Sequence, residues 1–65
     1  MTEIEFSKDR YHEINDMIHW CREHIGHGSY LGKPSDVWSV HPAFGNTYFR
    51  FKNERDAALF SLRWL

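Results

Sequence analysis

The chain contains one cysteine and two prolines. No run of apolar residues approaches the roughly 20 needed to span a bilayer. A single thiol, Cys21, excludes an intramolecular disulfide, and it suits a reducing compartment better than a secreted scaffold. The segment from Met1 to Phe6 carries acidic residues where a signal peptide needs a basic start and an apolar run, so the expected compartment is the cytoplasm. A formal net charge of −1 offers no bulk positive field to a polyanion and leaves only a local basic patch for that purpose. Gly26, Gly28 and Gly32 fit neither nucleotide-binding fingerprint, and no paired zinc-ligand spacing occurs. With no repeats, no low-complexity tract and no linker, residues 1–65 read as one domain.

What the chain does have is rings. Aromatic residues make up 17% of its 65 positions, as three Trp, three Tyr and five Phe. Each buried ring removes on the order of 150–250 Å² from water, which compensates for a chain that buries only about 60% of its unfolded surface. Thr2 to Phe6 alternates polar and apolar residues and predicts a short strand. From Lys8 to Ile25 a helical period follows, with Tyr11, Ile14, Ile18, Cys21 and Ile25 on one stripe and Ser7 or Asp9 as the cap. Gly26 marks the C-terminal end of that helix, and a loop is expected from Gly26 to Asp36. Val37–His41 and Thr47–Lys52 alternate as strands around Pro42-Ala43-Phe44-Gly45-Asn46, which predicts an antiparallel hairpin. Asn53 and Asp56 form a capping arrangement for a last helix over Glu54–Trp64. The expected fold is α+β, in the order β-α-β-β-α: a three-stranded sheet with both helices on one face. It corresponds to a ferredoxin-like split βαβ unit lacking its last strand, with the first strand beside the third.

Four groups of residues carry candidate chemistry. His12, Asp16 and His19 fall at i, i+4 and i+7, so imidazole and carboxylate could meet a metal, although no fourth ligand is in sight. The bland alternative, a solvated polar face, is preferred, and no metal or cofactor is expected. Cys21 with His24 three residues on has the elements of a nucleophile and base. A cysteine on the apolar stripe reads instead as an inert small hydrophobe, and an enzyme is not expected. Tyr48, Arg50 and Lys52 share the outward face of the second hairpin strand, where an aromatic beside two cations suits single-stranded nucleic acid.

The fourth group is surplus apolar surface. Trp20 projects about 130° from the centre of its helix's buried stripe. The last helix has two apolar arcs, Ala58, Leu59, Leu62 and Leu65 on one side and Ala57, Phe60 and Trp64 on the other. Either that helix is wedged between the sheet and the first helix, or one arc meets another chain. Trp20, Phe60 and Trp64 are the expected contact residues, since Trp is enriched at binding hot spots. The leading expectation is a non-enzymatic module that binds a protein or a second copy of itself, with single-stranded nucleic acid as the alternative and no membrane involvement.

The run Tyr48-Phe-Arg-Phe-Lys-Asn-Glu-Arg-Asp-Ala-Ala-Leu-Phe-Ser-Leu-Arg-Trp64, with Trp20-Cys-Arg-Glu-His-Ile-Gly26 upstream, resembles short uncharacterised proteins of tailed phages that infect marine bacteria. In those proteins an aromatic strand is followed by an Asp-Ala-x-x-Phe-x-Leu-x-Trp helix. The resemblance spans most of the chain after Tyr11. It implies a phage product that binds a host or phage protein in the host cytoplasm, and it brings no functional residues with it.

Overall fold

A computed structural model describes residues 2–33 and 36–65. Pro34 and Ser35, within the loop expected between Gly26 and Asp36, lie outside the described residues, as does Met1. Strand β1 (Thr2–Phe6) leads through a 3-10 segment (Lys8–Glu13) into helix α1 (Ile14–His24). Strands β2 (Gly28–Tyr30), β3 (Trp38–Ala43) and β4 (Asn46–Phe51) follow, and helix α2 (Glu54–Trp64) comes last. The sheet order is β1-β4-β3-β2. β4 is antiparallel to both β1 and β3, with Ile4 and Val40 each opposite Phe49. The split βαβ core is therefore present, with the first strand beside the last.

The sheet has four strands, where the sequence predicts three. The addition is β2, which runs parallel to β3 with Tyr30 opposite Val40. Its three residues, Gly-Ser-Tyr, are too few to display an alternation, so the segment reads as loop. What holds it is the tryptophan beneath. A Cβ on Gly28 would sit 2.1 Å from the Trp38 ring, so only glycine lets the backbone pass there. The Trp38 indole N–H donates to the Gly26 carbonyl at 2.9 Å and pins the same approach. Pro42 is tolerated in β3 because β2 stops two residues earlier. The Leu31 amide donates to the Val40 carbonyl, so Pro42, two residues on, also faces the side where no neighbouring strand remains.

Both helices cover one face of this sheet. Phe6, Trp38, Val40, Phe49 and Phe51 point inward and meet Met17 and Cys21 from α1 and Ala57, Phe60 and Trp64 from α2. Phe60 is the hub. Its ring centroid lies 5.7 Å from Phe6, 4.9 Å from Phe49, 5.0 Å from Phe51 and 5.9 Å from Trp20. These are ordinary separations for offset and edge-to-face pairs, each worth about 0.5–1.5 kcal/mol beyond area burial.

The expected helix over Lys8–Ile25 is divided. Its first part, Lys8–Glu13, is 3-10, and only Ile14–His24 is α-helical. Ser7 precedes the 3-10 segment without a side-chain cap, and the Arg10 amide bonds its carbonyl instead. A 3-10 turn takes about three residues, not 3.6, so Tyr11 rotates off the stripe and is left exposed. Asn53 likewise precedes α2 without a side-chain cap; its amide nitrogen lies 3.5 Å from an Asp56 carboxylate oxygen.

Candidate interaction surfaces

The open face of the sheet carries Glu3 and Glu5 from β1, Ser39 and His41 from β3, and Tyr48 and Arg50 from β4. Register decides its electrostatics. β1 sets Glu3 opposite Arg50 and Glu5 opposite Tyr48. Arg50 Nε lies 2.7 Å from a Glu3 carboxylate oxygen, and the Tyr48 hydroxyl donates to Glu5 at 3.3 Å. Burial, followed by the Glu5 charge, pushes the Tyr48 phenol up. Burial and the Arg50 charge push the His41 imidazole down, away from the cationic form. Lys52 is exposed just past the end of β4. The arrangement that would favour phosphate, a tyrosine beside two cations, is thus interrupted by two carboxylates from the adjoining strand, Glu3 on Arg50 and Glu5 on Tyr48.

The tryptophans and Phe60 are brought together by the fold, on its inside. Phe60 is 0% exposed and Trp64 8%. Trp20 is half-buried, stacked on His24 at 4.7 Å and edge-on to Phe60. The Arg63 guanidinium lies 4.0 Å from the centroid of the Trp64 ring, and Arg10 donates to the Trp64 carbonyl at 2.6 Å. Phe60 therefore has no surface to offer a partner, and Trp64 has little. α2 is not wedged between sheet and α1: it lies on the sheet with Ala57, Phe60 and Trp64 inward, and its other arc, Ala58, Leu59, Leu62 and Leu65, is left outside. Sequence periodicity finds two arcs and contains no signal for which of them faces the sheet.

His12, Asp16 and His19 do not form a ligand set, and no group of three or more His, Cys, Asp or Glu among the described residues could hold a metal ion. His12 belongs to the 3-10 segment while Asp16 and His19 belong to α1, so the i, i+4, i+7 spacing does not translate into one face. The Cys21 thiol is buried; burial, with the Asp56 charge second, pushes it up to about 12. A thiol so far from its thiolate form is a poor nucleophile at neutral pH.

Two apolar residues that sequence reasoning passed over occupy special positions. Phe44 sits at the tip of the β3–β4 hairpin with φ of 51°, and Gly45 follows at 83°. Two successive positive φ values at a two-residue loop suit Asn-Gly, and a bulky residue in the first place is strained. Phe44 is also 105% exposed. Leu31 repeats the pattern: φ is 65°, Gly32 follows at 78°, and the side chain is 59% exposed. Because β2 and β3 are parallel, Leu31 and Phe44 both lie towards the same end of the sheet. The available signal was a bulky apolar residue directly before glycine in each turn, where Asn or Asp belongs.

Below these turns the covered face is incompletely filled. Tyr11, Ile14, Ile18, Tyr30, Val40 and Pro42 line most of a shallow groove of about 220 Å³, with Asn15 and Thr47 completing an uncharged wall. No helix of the described residues is long and apolar enough to cross a membrane. Set against protein-family models, curated proteins and solved structures, the chain matches none. Its class is therefore defined by its own topology: a small α+β domain with two helices over a four-stranded mixed sheet.

Proposed function

We infer that this chain is a non-enzymatic protein-interaction module whose hairpin tip inserts Phe44 into an apolar pocket of a partner protein. The observation that carries this reading is Phe44 itself, fully exposed and held at φ of 51°. A left-handed non-glycine residue costs roughly 1–2 kcal/mol, and here the cost returns no buried area within the chain. Leu31, strained and exposed towards the same end, adds a second apolar contact. The raised Cys21 thiol, buried and far from its thiolate form, favours binding over catalysis at that residue. The strand-to-helix run from Tyr48 to Trp64 adds the setting, a phage product acting on a host or phage protein in the cytoplasm. Single-stranded nucleic acid on the open sheet face is the weaker reading, because Arg50 is engaged by Glu3.

Site-specific photo-crosslinking tests the reading. Benzoylphenylalanine at position 44 is expected to capture one discrete species in cells expressing the chain, whereas the same probe at exposed Arg22 is not. Excess native chain should abolish that capture, and excess Phe44→Asn chain should not. Capture that is equal from both positions, or equally competed by both chains, removes Phe44 from the role.

A further inference from the structure

We propose that the free edge of β1 binds an extended, basic segment of a partner protein, which adds to the sheet as one more antiparallel strand. This goes beyond the hairpin-tip reading and uses another part of the molecule. The sheet order β1-β4-β3-β2 leaves one side of β1 without a neighbour among the described residues. Hydrogen-bond phase fixes what that side presents. The Leu31 amide donates to the Val40 carbonyl, so Val40 turns its backbone groups to β2, while Ser39 and His41 turn theirs to β4. The Lys52 amide, donating to the Val37 carbonyl, keeps the same phase. Opposite Ser39 and His41 lie Arg50 and Tyr48, so Phe49 and Phe51 are left to bond β1, where they meet Ile4 and Thr2. Glu3 and Glu5 therefore point their N–H and C=O groups away from the sheet, and no backbone bond among the described residues meets them. A row of unpaired backbone groups of this kind is a template for an added strand.

Charge selects the occupant. The residues that offer the free backbone groups are the two exposed carboxylates of β1. Arg50 Nε, 2.7 Å from a Glu3 carboxylate oxygen, balances Glu3. The donors on Glu5, the Asn46 side-chain amide and the Tyr48 hydroxyl, are neutral, so no cation answers it. A basic residue on the incoming strand, directly opposite Glu5, supplies one. A second copy of this chain does the reverse: two β1 edges in full antiparallel overlap set Glu3 opposite Glu5 of the second copy, twice, and like charges so placed repel. A phosphate backbone is repelled in the same way. On the covered side Ile4 is half-buried at the margin of the core cluster, so the residue opposite it is apolar and extends that cluster outward. The segment that fits both faces is an apolar residue between two basic ones.

The length of the edge sets the strength. β1 has five residues, and a strand laid along them buries less than the roughly 1,200–2,000 Å² of stable interfaces. A short peptide therefore binds weakly, with a dissociation constant on the order of 0.1–1 mM.

Amide NMR on the whole isotope-labelled chain tests the proposal. The probe is an acetylated and amidated peptide, Thr-Lys-Val-Lys-Thr, taken to about 3 mM at low salt. It is expected to shift the Glu3 and Glu5 amide signals and to slow their hydrogen exchange, whereas the Ile4 amide, already turned to β4, keeps its exchange rate. Glu5→Lys, at an exposed position, should weaken binding about fivefold with an unchanged circular-dichroism spectrum. The reversed peptide Thr-Glu-Val-Glu-Thr should bind that variant better than it binds the native chain. No shift at Glu3 and Glu5, or equal shifts with the two peptides, overturns the proposal. Shifts of these amides that grow with chain concentration alone, or that a single-stranded oligonucleotide reproduces, overturn the choice of a basic peptide as occupant. Phe44→Asn should leave the titration unchanged, which keeps this outcome separate from the fate of the hairpin-tip reading.

Discussion

The two arcs of α2 are nearly interchangeable on paper. One offers Ala, Phe and Trp and the other Ala and three Leu, and a helical wheel gives no reason to prefer either. The fold places Phe60 in contact with four aromatic rings and leaves Leu62 in water. What separates them is shape. The inward face of the sheet presents Phe6, Phe49 and Phe51 around a single hollow, and a flat ring fills it with offset and edge-to-face contacts that a branched aliphatic chain cannot make. Apolar residues in this small domain thus divide into those the fold consumes and those it holds out. The second set, Leu31, Phe44, Leu59, Leu62 and Leu65, is where interaction is to be sought.

The sharpest test of that division is a matched pair of truncations. Phe60→Ala should cost about 3–5 kcal/mol, enough to unfold most of a domain this small. Leu62→Ala should stay within about 0.5 kcal/mol. Urea denaturation of both variants reads the difference directly. Comparable losses would mean that the two arcs are not divided as described.

A smaller effect is expected where the core is supported from outside. Gly28→Ala places a methyl group against the Trp38 ring, and Trp38 is walled in by Phe49 at 6.4 Å between ring centroids. The clash has to be relieved by displacing β2, at a cost of about 1–3 kcal/mol. Loss of stability together with a changed tryptophan fluorescence maximum would locate the damage at Trp38. An unchanged melting temperature would mean that β2 is not held by that packing.

Much of this organisation was legible in the chain. The strand at Thr2–Phe6, the hairpin, the helix over Glu54–Trp64 and the placing of the first strand beside the last follow from period and turn chemistry. β2 was not, because three residues carry no period and its reason for existing is the Trp38 ring behind Gly28. The 3-10 start of the first helical segment was hidden too, since Tyr11 continues an apolar spacing that the backbone does not follow. Of the candidate residues, Phe60 and Trp64 proved to be core, because arc geometry alone cannot rank two apolar faces. Phe44 and Leu31 could have been noticed from the Phe-Gly and Leu-Gly steps, had those been weighed as strained turns.

The held-out set predicts the opposite sign. Phe44→Asn puts a residue that tolerates positive φ where the hairpin needs one, and it should raise stability by about 0.5–1 kcal/mol. A variant that is more stable yet no longer competes in crosslinking would be a direct exchange of function for stability. A destabilised variant would instead show that the phenyl ring supports the hairpin from within the chain.

The smallest effect concerns how the Leu31 turn is kept in place. The buried Asp36 carboxylate accepts hydrogen bonds from the Ser29 hydroxyl and from the Lys33 backbone N–H, the latter at 2.8 Å, tying the end of this loop back to β2. The Ser29 bond is the main cause that holds the carboxyl below its ordinary value, opposed by burial and helped by the Lys33 amide. A carboxyl depressed in the folded state gives stability that is fully present above its unfolded pKa of about 3.9. That stability is lost as pH falls through the folded pKa. Glu13, held low mainly by its hydrogen bond to Arg10, contributes in the same acid window. The difference between native chain and Asp36→Asn therefore isolates the turn. Thermal melts from about pH 7 to about pH 2 should show the two converging as the acid limit is approached, with the native chain the more stable at neutral pH. A constant gap across the range would mean that the Asp36 charge does not hold this turn.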